Sequence, residues 1–352
     1  MTRDEVLRAV QQAEPVRESN LAGIDFSGCD LSATLFEGCD FSAANVQGAD
    51  LTDAQFIRCT FAQADLSRSI ASGTAFVECR FERAAMADTS LENVSWLKCQ
   101  VNGLALVRCT LDFVNFAECE LDRLLLDDSR AEKLTLASCR TGALSFARCQ
   151  LDRTVLLECD LRQADFRDAQ FNTVVMIKSV LAGLSFSGRT MNNVQFIGAD
   201  LTGCDFSGAR LNQVNFQQAK AVGIVLNGAQ AAGALFVDAN MEQGHFEKAV
   251  LRQTLFCGAN ARQCRFDGAD LYQSNWTGAQ LGQSSLRDCE LTYADFSHAS
   301  LDGADLRGST MFRAKLHQIS DRDARFSDRA RALESDPDLL VAERWRLPIQ
   351  AG

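Results

Sequence analysis

Residues 46–66 read VQGADLTDAQFIRCTFAQADL. Val46, Leu51, Phe56, Phe61 and Leu66 recur every five residues, and the residue two before each is small: Ala44, Ala49, Ala54, Cys59 and Ala64. A period of five fits neither standard element. On a helix, positions five apart scatter by about 140° around the axis, and on a strand they fall on opposite faces. The pattern needs a chain that bends between short extended pieces, always turning the same two positions inward.

Outward from this segment the register holds without a slip from Leu21 to Leu316, a run of 60 positions. Of these, 54 are Leu, Phe, Met, Val or Trp, so the phase is an apolar core position. The six exceptions, Ala71, Ala131, Thr141, Ala221, Ala231 and Ala261, are small and uncharged. Two residues after the large position, glycine concentrates: 19 of the 23 glycines share that phase. Glycine takes positive φ freely, so the chain is expected to turn once per five residues. Pro15, Pro337 and Pro348 all lie outside the array. This suits stacked β-coils, whose N–H groups pair with the coils above and below.

The units Ala49-Asp50-Leu51-Thr52-Asp53, Ala164-Asp165-Phe166-Arg167-Asp168 and Ala269-Asp270-Leu271-Tyr272-Gln273 resemble the motif of the pentapeptide-repeat family. The resemblance implies an all-β fold, a right-handed quadrilateral parallel β-helix with 20 residues per coil. The array would then make about 15 coils and, at the spacing of stacked strands, a rod about 70 Å long. The expected division is a capping helix in residues 1–18, the β-helix in 19–318, and a helical cap or dimerisation segment in 319–352.

With 20-residue coils, Cys39, Cys59, Cys79, Cys99, Cys119, Cys139 and Cys159 form one inward column. They alternate freely with alanine at the small position, which marks them as soft core residues. No Cys-x-x-Cys pair occurs and no histidine lies near the column, so no metal site is expected there. Arg68, Asp88, Arg108, Asp128, Arg148 and Asp168 form an outward column of alternating sign, as do Arg58, Glu78, Lys98 and Glu118. Like charges stacked so closely would repel, so the alternation supports the same coil length. Gln243, Gln263 and Gln283, and Gln253 with Gln273, are expected to stack as amide columns.

The formal charge is −11, and it is uneven. Residues 21–170 hold 23 acids and 14 bases, whereas residues 171–320 hold 12 of each. The acidic half reads either as solubilising, with the routine Asp before the large position as in Asp25, Asp30, Asp40 and Asp50, or as a surface for a partner with a basic face. Direct nucleic-acid binding, which needs a basic patch, is not expected. The candidate contact residues there are Asp50, Asp53, Glu92 and Asp112.

Thr2 to Glu5 reads as a capping box, and Val6, Leu7, Val10 and Ala13 as the apolar stripe of a helix over 1–14. Such a helix would cover the first coil. Residues 327–335 suggest a second short helix. Trp345, flanked by Arg344 and Arg346, is the contact candidate of the tail by residue type. A homodimer through this segment is the alternative to a cap.

No phosphate loop, nucleophile elbow or zinc motif is present, and the three histidines, His245, His298 and His317, share no column. No catalytic residue, cofactor or metal is expected. No apolar run spans a membrane and no signal-peptide pattern opens the chain, so a cytoplasmic location is expected. The remaining reading is a scaffold or adaptor for an unidentified protein partner. The N-terminal helix, Glu14-Pro15 and the opening from Gly23 to Leu31 are similar to family members associated with bacterial type VI secretion. The competing reading is a DNA mimic that binds DNA gyrase or topoisomerase IV. No loop insertion breaks this array, unlike the gyrase-protecting members.

Overall fold

The structure, a computed structural model, describes residues 1–345. It is an all-parallel β-solenoid of about 16 turns with a short helix at each end. The chain divides into two compact units, Met1–Leu181 with Met191–Ala199, and Ala182–Thr190 with Asp200–Gly352.

In the first unit, helix α1 (Arg3–Gln11) precedes the stack. Glu5 N–H donates to Thr2 Oγ1 at 3.4 Å and Thr2 N–H to Glu5 Oε2 at 2.8 Å, which completes the capping box. Val6 and Ala9 are buried. The helix is shorter than the expected 1–14 because Ala13 takes φ of 53°, and Pro15 holds the preceding residue out of the helical region. Coil pairing starts at once. Val16 pairs with Phe36, Phe36 with Phe56 and Phe56 with Phe76, each step being 20 residues.

The stack is built from one repeated hydrogen-bond scheme. Leu21 N–H donates to Asp40 O in the next coil at 2.8 Å, and Asp40 N–H donates to Ser19 O at 3.0 Å. Within each side the turn is closed locally, as where Ile24 N–H donates to Leu21 O at 3.2 Å. At the turn phase φ is positive in glycines such as Gly23 (69°) and equally in Asp53 and Arg108 (both 57°). Glycine therefore marks only part of the turn positions, because the stacked ladder holds other residues there despite their steric cost.

The core consists of ring columns. In the first unit Phe36, Phe56, Phe76, Trp96 and Phe116 stack with centroids 4.5–5.2 Å apart. A second column, Phe41, Phe61 and Phe81, meets the first edge to face, as in the Phe56–Phe61 pair at 76°. In the second unit Phe216, Phe236, Phe256, Trp276 and Phe296 repeat the arrangement. The rings gain offset stacking as well as burial.

The small position accepts compact side chains, and a donor there commonly bonds a carbonyl of the coil before. The Cys79 thiol donates to Phe56 O at 3.2 Å, and the hydroxyls of Thr74 and Ser129 make the equivalent bond to Leu51 O and Leu106 O, both at 2.8 Å. The cysteine column is thus a row of backbone-capping core residues, and all 14 thiols are free.

The second unit continues the coils past Leu316. Leu306 pairs with Phe326, and Lys315 with Leu333. Together with the start at Val16, this adds a turn to the 15 coils expected. Residues 327–335 form no α-helix. Leu333 N–H donates to Ala314 O and Leu316 N–H to Leu333 O, both at 2.8 Å, so coil pairing takes this segment and leaves one 3-10 turn at Arg329–Arg331. The second helix, α2, is Pro337–Arg344. Asp336 caps it by accepting from Asp338 N–H at 2.9 Å and Leu339 N–H at 3.2 Å, and Pro337 occupies the first helical position, where its missing N–H costs nothing. No helix among the described residues is long and apolar enough to cross a membrane.

Candidate interaction surface

Inward positions are alike in every coil, so chemistry that differs along the chain is carried on the outward walls and at the caps. In the first unit the register brings Glu92 and Asp112 directly opposite one another, and continues the column through Glu132 and Asp152. Arg153 reaches both Glu132 and, at 3.1 Å, Asp152. One oxygen of Asp112 is buried without a hydrogen-bond partner among the described residues. Asp50 and Asp53 are placed otherwise. Asp50 accepts from Thr52 N–H at 2.9 Å and braces its own turn. Asp53 is exposed and folds over Gly73, leaving no room there for a Cβ.

The alternating columns form ion pairs in part. Arg108 grips Asp88 with two bonds of 2.7 Å, and Arg148 grips Asp128 at 2.6 and 2.7 Å. Lys98 lies 3.8 Å from Glu118. Arg58 departs from its column and binds Glu37 at 2.7 Å, since its long side chain reaches diagonally to a neighbouring acid. The hydrogen bond from Arg108 holds the Asp88 carboxyl below its ordinary range. The Gln243–Gln263–Gln283 amide ladder forms with bonds of 3.1 and 3.2 Å, and Gln253–Gln273 with 3.0 Å.

The second unit carries a feature that stepping by five does not reveal. Tyr272, Tyr293 and Phe312 touch in sequence, each pair edge to face with centroids 5.9 Å apart. Arg252 lies over the Tyr272 ring and Arg331 over the Phe312 ring, both at 5.4 Å. Tyr293 is 41% exposed and Phe312 40%. Tyr272 and Phe312 are two coils apart in one column, and Tyr293 stands in the adjoining column between them; reading two columns together would have found the strip. Exposed Leu339, Val341 and Trp345 lie on and after α2. Trp345, at 67% exposure, follows the helix directly. Arg344 ends α2, while its side chain and all of Arg346 lie outside the described residues.

Two histidines that share no column nonetheless meet. His298 and His317 differ by 19 positions, one short of a coil, and their rings cross at 5.4 Å. Glu343 of α2 joins them. Its Oε1 lies 3.1 Å from His298 Nε2 and its Oε2 3.2 Å from His317 Nε2, and Gln318 Nε2 donates to Oε2 at 2.6 Å. The hydrogen bond to His317, and then that to His298, hold the Glu343 carboxyl below its usual range. His317 is buried, and its Nδ1 accepts from Asp336 N–H at 3.1 Å. The set joins both ends of α2 to the coils beneath it.

The family model for pentapeptide repeats matches residues 19–56, 145–173, 179–218, 209–247, 234–273, 264–301 and 289–328. A second model, the pentapeptide repeat region, matches 49–126. No curated protein is significantly similar. Among solved structures, the chain is similar to HetL, a pentapeptide repeat protein involved in heterocyst differentiation regulation from the cyanobacterium Nostoc sp.. Identity is 20% over 87% of this chain and 97% of HetL, with a TM-score of 0.18. It is also similar to QnrB1, a plasmid-mediated fluoroquinolone resistance protein, at 16% identity over 58% and 90% of the two chains, TM-score 0.20. A third is Rfr23 from the cyanobacterium Cyanothece 51142, at 19% identity over 44% and 91%, TM-score 0.14. The repeat models span most of the array, and the structure they imply is the one observed: this chain belongs to the pentapeptide-repeat family.

Proposed function

We propose that the protein is a non-catalytic scaffold that binds a protein partner through its outward walls. The observation that carries this reading is the Tyr272–Tyr293–Phe312 strip. Exposed, contiguous aromatic area flanked by arginine is the composition that concentrates binding energy at protein interfaces. The strip is not required for coil pairing, which the backbone ladder supplies in every coil alike. The similarity of the N-terminal helix and of the Gly23–Leu31 opening to secretion-associated relatives supports an adaptor for such a machine. The test is affinity capture from bacterial lysate with the wild type and with Tyr293→Ala/Phe312→Ala. A partner retained by the first and lost by the second is expected; identical captures exclude the strip.

A second reading, a mimic of DNA that engages gyrase or topoisomerase IV, is supported by a different observation. The carboxylates of Glu92, Asp112, Glu132 and Asp152 recur once per coil on one wall of the acidic first unit. A supercoiling assay with added protein decides it. Inhibition or quinolone protection that is lost on Glu92→Gln/Asp112→Asn is expected; no effect at micromolar protein excludes it.

A further inference from the structure

We propose that His298, His317 and Glu343 form a site for a divalent transition-metal ion of the zinc class, and that loading it releases the N-terminus of α2. Three donor atoms of the kinds zinc prefers converge there from separate segments, all within 4.8 Å of one another. Zinc bonds to His nitrogen and carboxylate oxygen are about 2.0–2.2 Å, which places tetrahedral donors about 3.4 Å apart. The His298–Glu343 and His317–Glu343 separations are already 3.1 and 3.2 Å. These two contacts are to different oxygens of Glu343, so binding requires the carboxylate to turn away from Gln318 and the gap between the imidazoles to close, and the side chains of His298 and Glu343 are exposed enough to do so. The backbone fixes the pairing, since His298 N–H donates to His317 O at 2.8 Å. Two imidazoles and one carboxylate leave a fourth position open to water, the ligand count of an open zinc site.

The coupling follows from proton positions. His317 Nδ1 accepts the Asp336 N–H, so in the metal-free protein its ring proton sits on Nε2 and points at Glu343. A metal on Nε2 requires that proton to move to Nδ1, where the Asp336 N–H already points. The ring stays neutral and releases no proton, but the bond from Asp336 must break. Asp336 is the N-cap of α2, so metal binding and the present seating of that cap exclude one another. This site is independent of the aromatic strip.

The experiment uses the full chain, stripped with a chelator, and cobalt(II) and zinc(II) as probes. One ion per chain is expected, with a tetrahedral cobalt spectrum free of thiolate charge transfer. His298→Gln and Glu343→Gln, both on exposed side chains, should each weaken binding by more than the roughly 10–100-fold that loss of an outer-shell partner costs. Hydrogen exchange at Asp336 and the first turn of α2 should speed up on loading. No stoichiometric binding overturns the proposal. So does a thiolate band, which would place the metal on cysteine, or affinity unchanged in both variants. Binding without faster exchange at Asp336 overturns the coupling.

Discussion

The indole N–H of Trp276 donates to Ser274 Oγ at 2.8 Å, and that hydroxyl donates onward to Leu271 O at 2.7 Å. Trp96 occupies the same phase in the first unit, but the residue two before it is Val94. The Trp96 Nε1 is buried with no hydrogen-bond partner among the described residues. Two equivalent core positions thus differ by one satisfied donor.

That difference predicts opposite mutational outcomes. Ser274→Ala leaves the Trp276 donor unpaired in the core and should cost about 1–3 kcal/mol. Val94→Thr keeps the shape and offers an acceptor to Trp96, so it should leave the melting temperature unchanged or raise it. Thermal unfolding of both variants checks the pair. An equal loss in Val94→Thr would show that the Trp96 N–H is not the limiting group.

The parts legible in the sequence are those that the repeat itself encodes. Cys39 to Cys159 could be placed in one column because a period of five and a coil of 20 fix the position of every residue between them. Arg108 with Asp88 followed for the same reason. Arg58 did not, because a long side chain chooses among several acids within reach, and spacing does not say which. The Tyr272–Tyr293–Phe312 strip crosses two columns, so neither column shows it alone. Glu343 comes from outside the array, where no period applies, and the sequence reading places no helix at Pro337, which opens α2. Thus the fold follows from the phase, whereas the surfaces depend on side-chain reach and on the non-repeating end.

Gly244 should resist the commonest residue of its phase. Alanine is the commonest residue at the small positions, and Gly244 has no positive φ to require glycine. Its Cβ would nevertheless lie 2.7 Å from the Phe246 ring and 2.8 Å from Met241 O, with Ile224 Cγ2 at 3.4 Å. Ile224 puts unusual bulk at the small phase one coil earlier, and Gly244 accommodates it. Gly244→Ala is expected to destabilise by about 1–3 kcal/mol through overpacking, measured by chemical denaturation.

The buried thiols predict alkaline destabilisation. Burial pushes the Cys159 thiol, and likewise Cys149, up to about 12. Unfolded thiols ionise near pH 9, so the folded state binds more protons above that pH. The contribution of each thiol is complete below about pH 9 and is lost progressively as the pH rises to about 12, at about 1.4 kcal/mol per unit. Subtracting the pH profile of Cys149→Ala/Cys159→Ala from that of the wild type isolates it. A flat difference above pH 9 would contradict the assignment.

The charge columns should matter less for the strength of any pair than for the repulsion they avoid. Arg108 stands between Asp88 and Asp128 in its column, bonded to the first, and all three side chains are largely exposed. Exposed pairs contribute about 0.2–1 kcal/mol, so Asp88→Asn should lower stability only slightly, and less still at high salt. The wild-type contribution from Asp88 is present above the ordinary carboxylate pKa and is lost as the pH falls through its lowered value. Arg108→Glu is the informative change. It places three carboxylates on successive coils about 4.8 Å apart, of which only Asp128 keeps its partner, Arg148. Its cost should exceed that of Asp88→Asn several-fold at low salt and shrink toward it in 1 M salt. Equal costs at low salt would mean that alternation plays no part in keeping the coils in register.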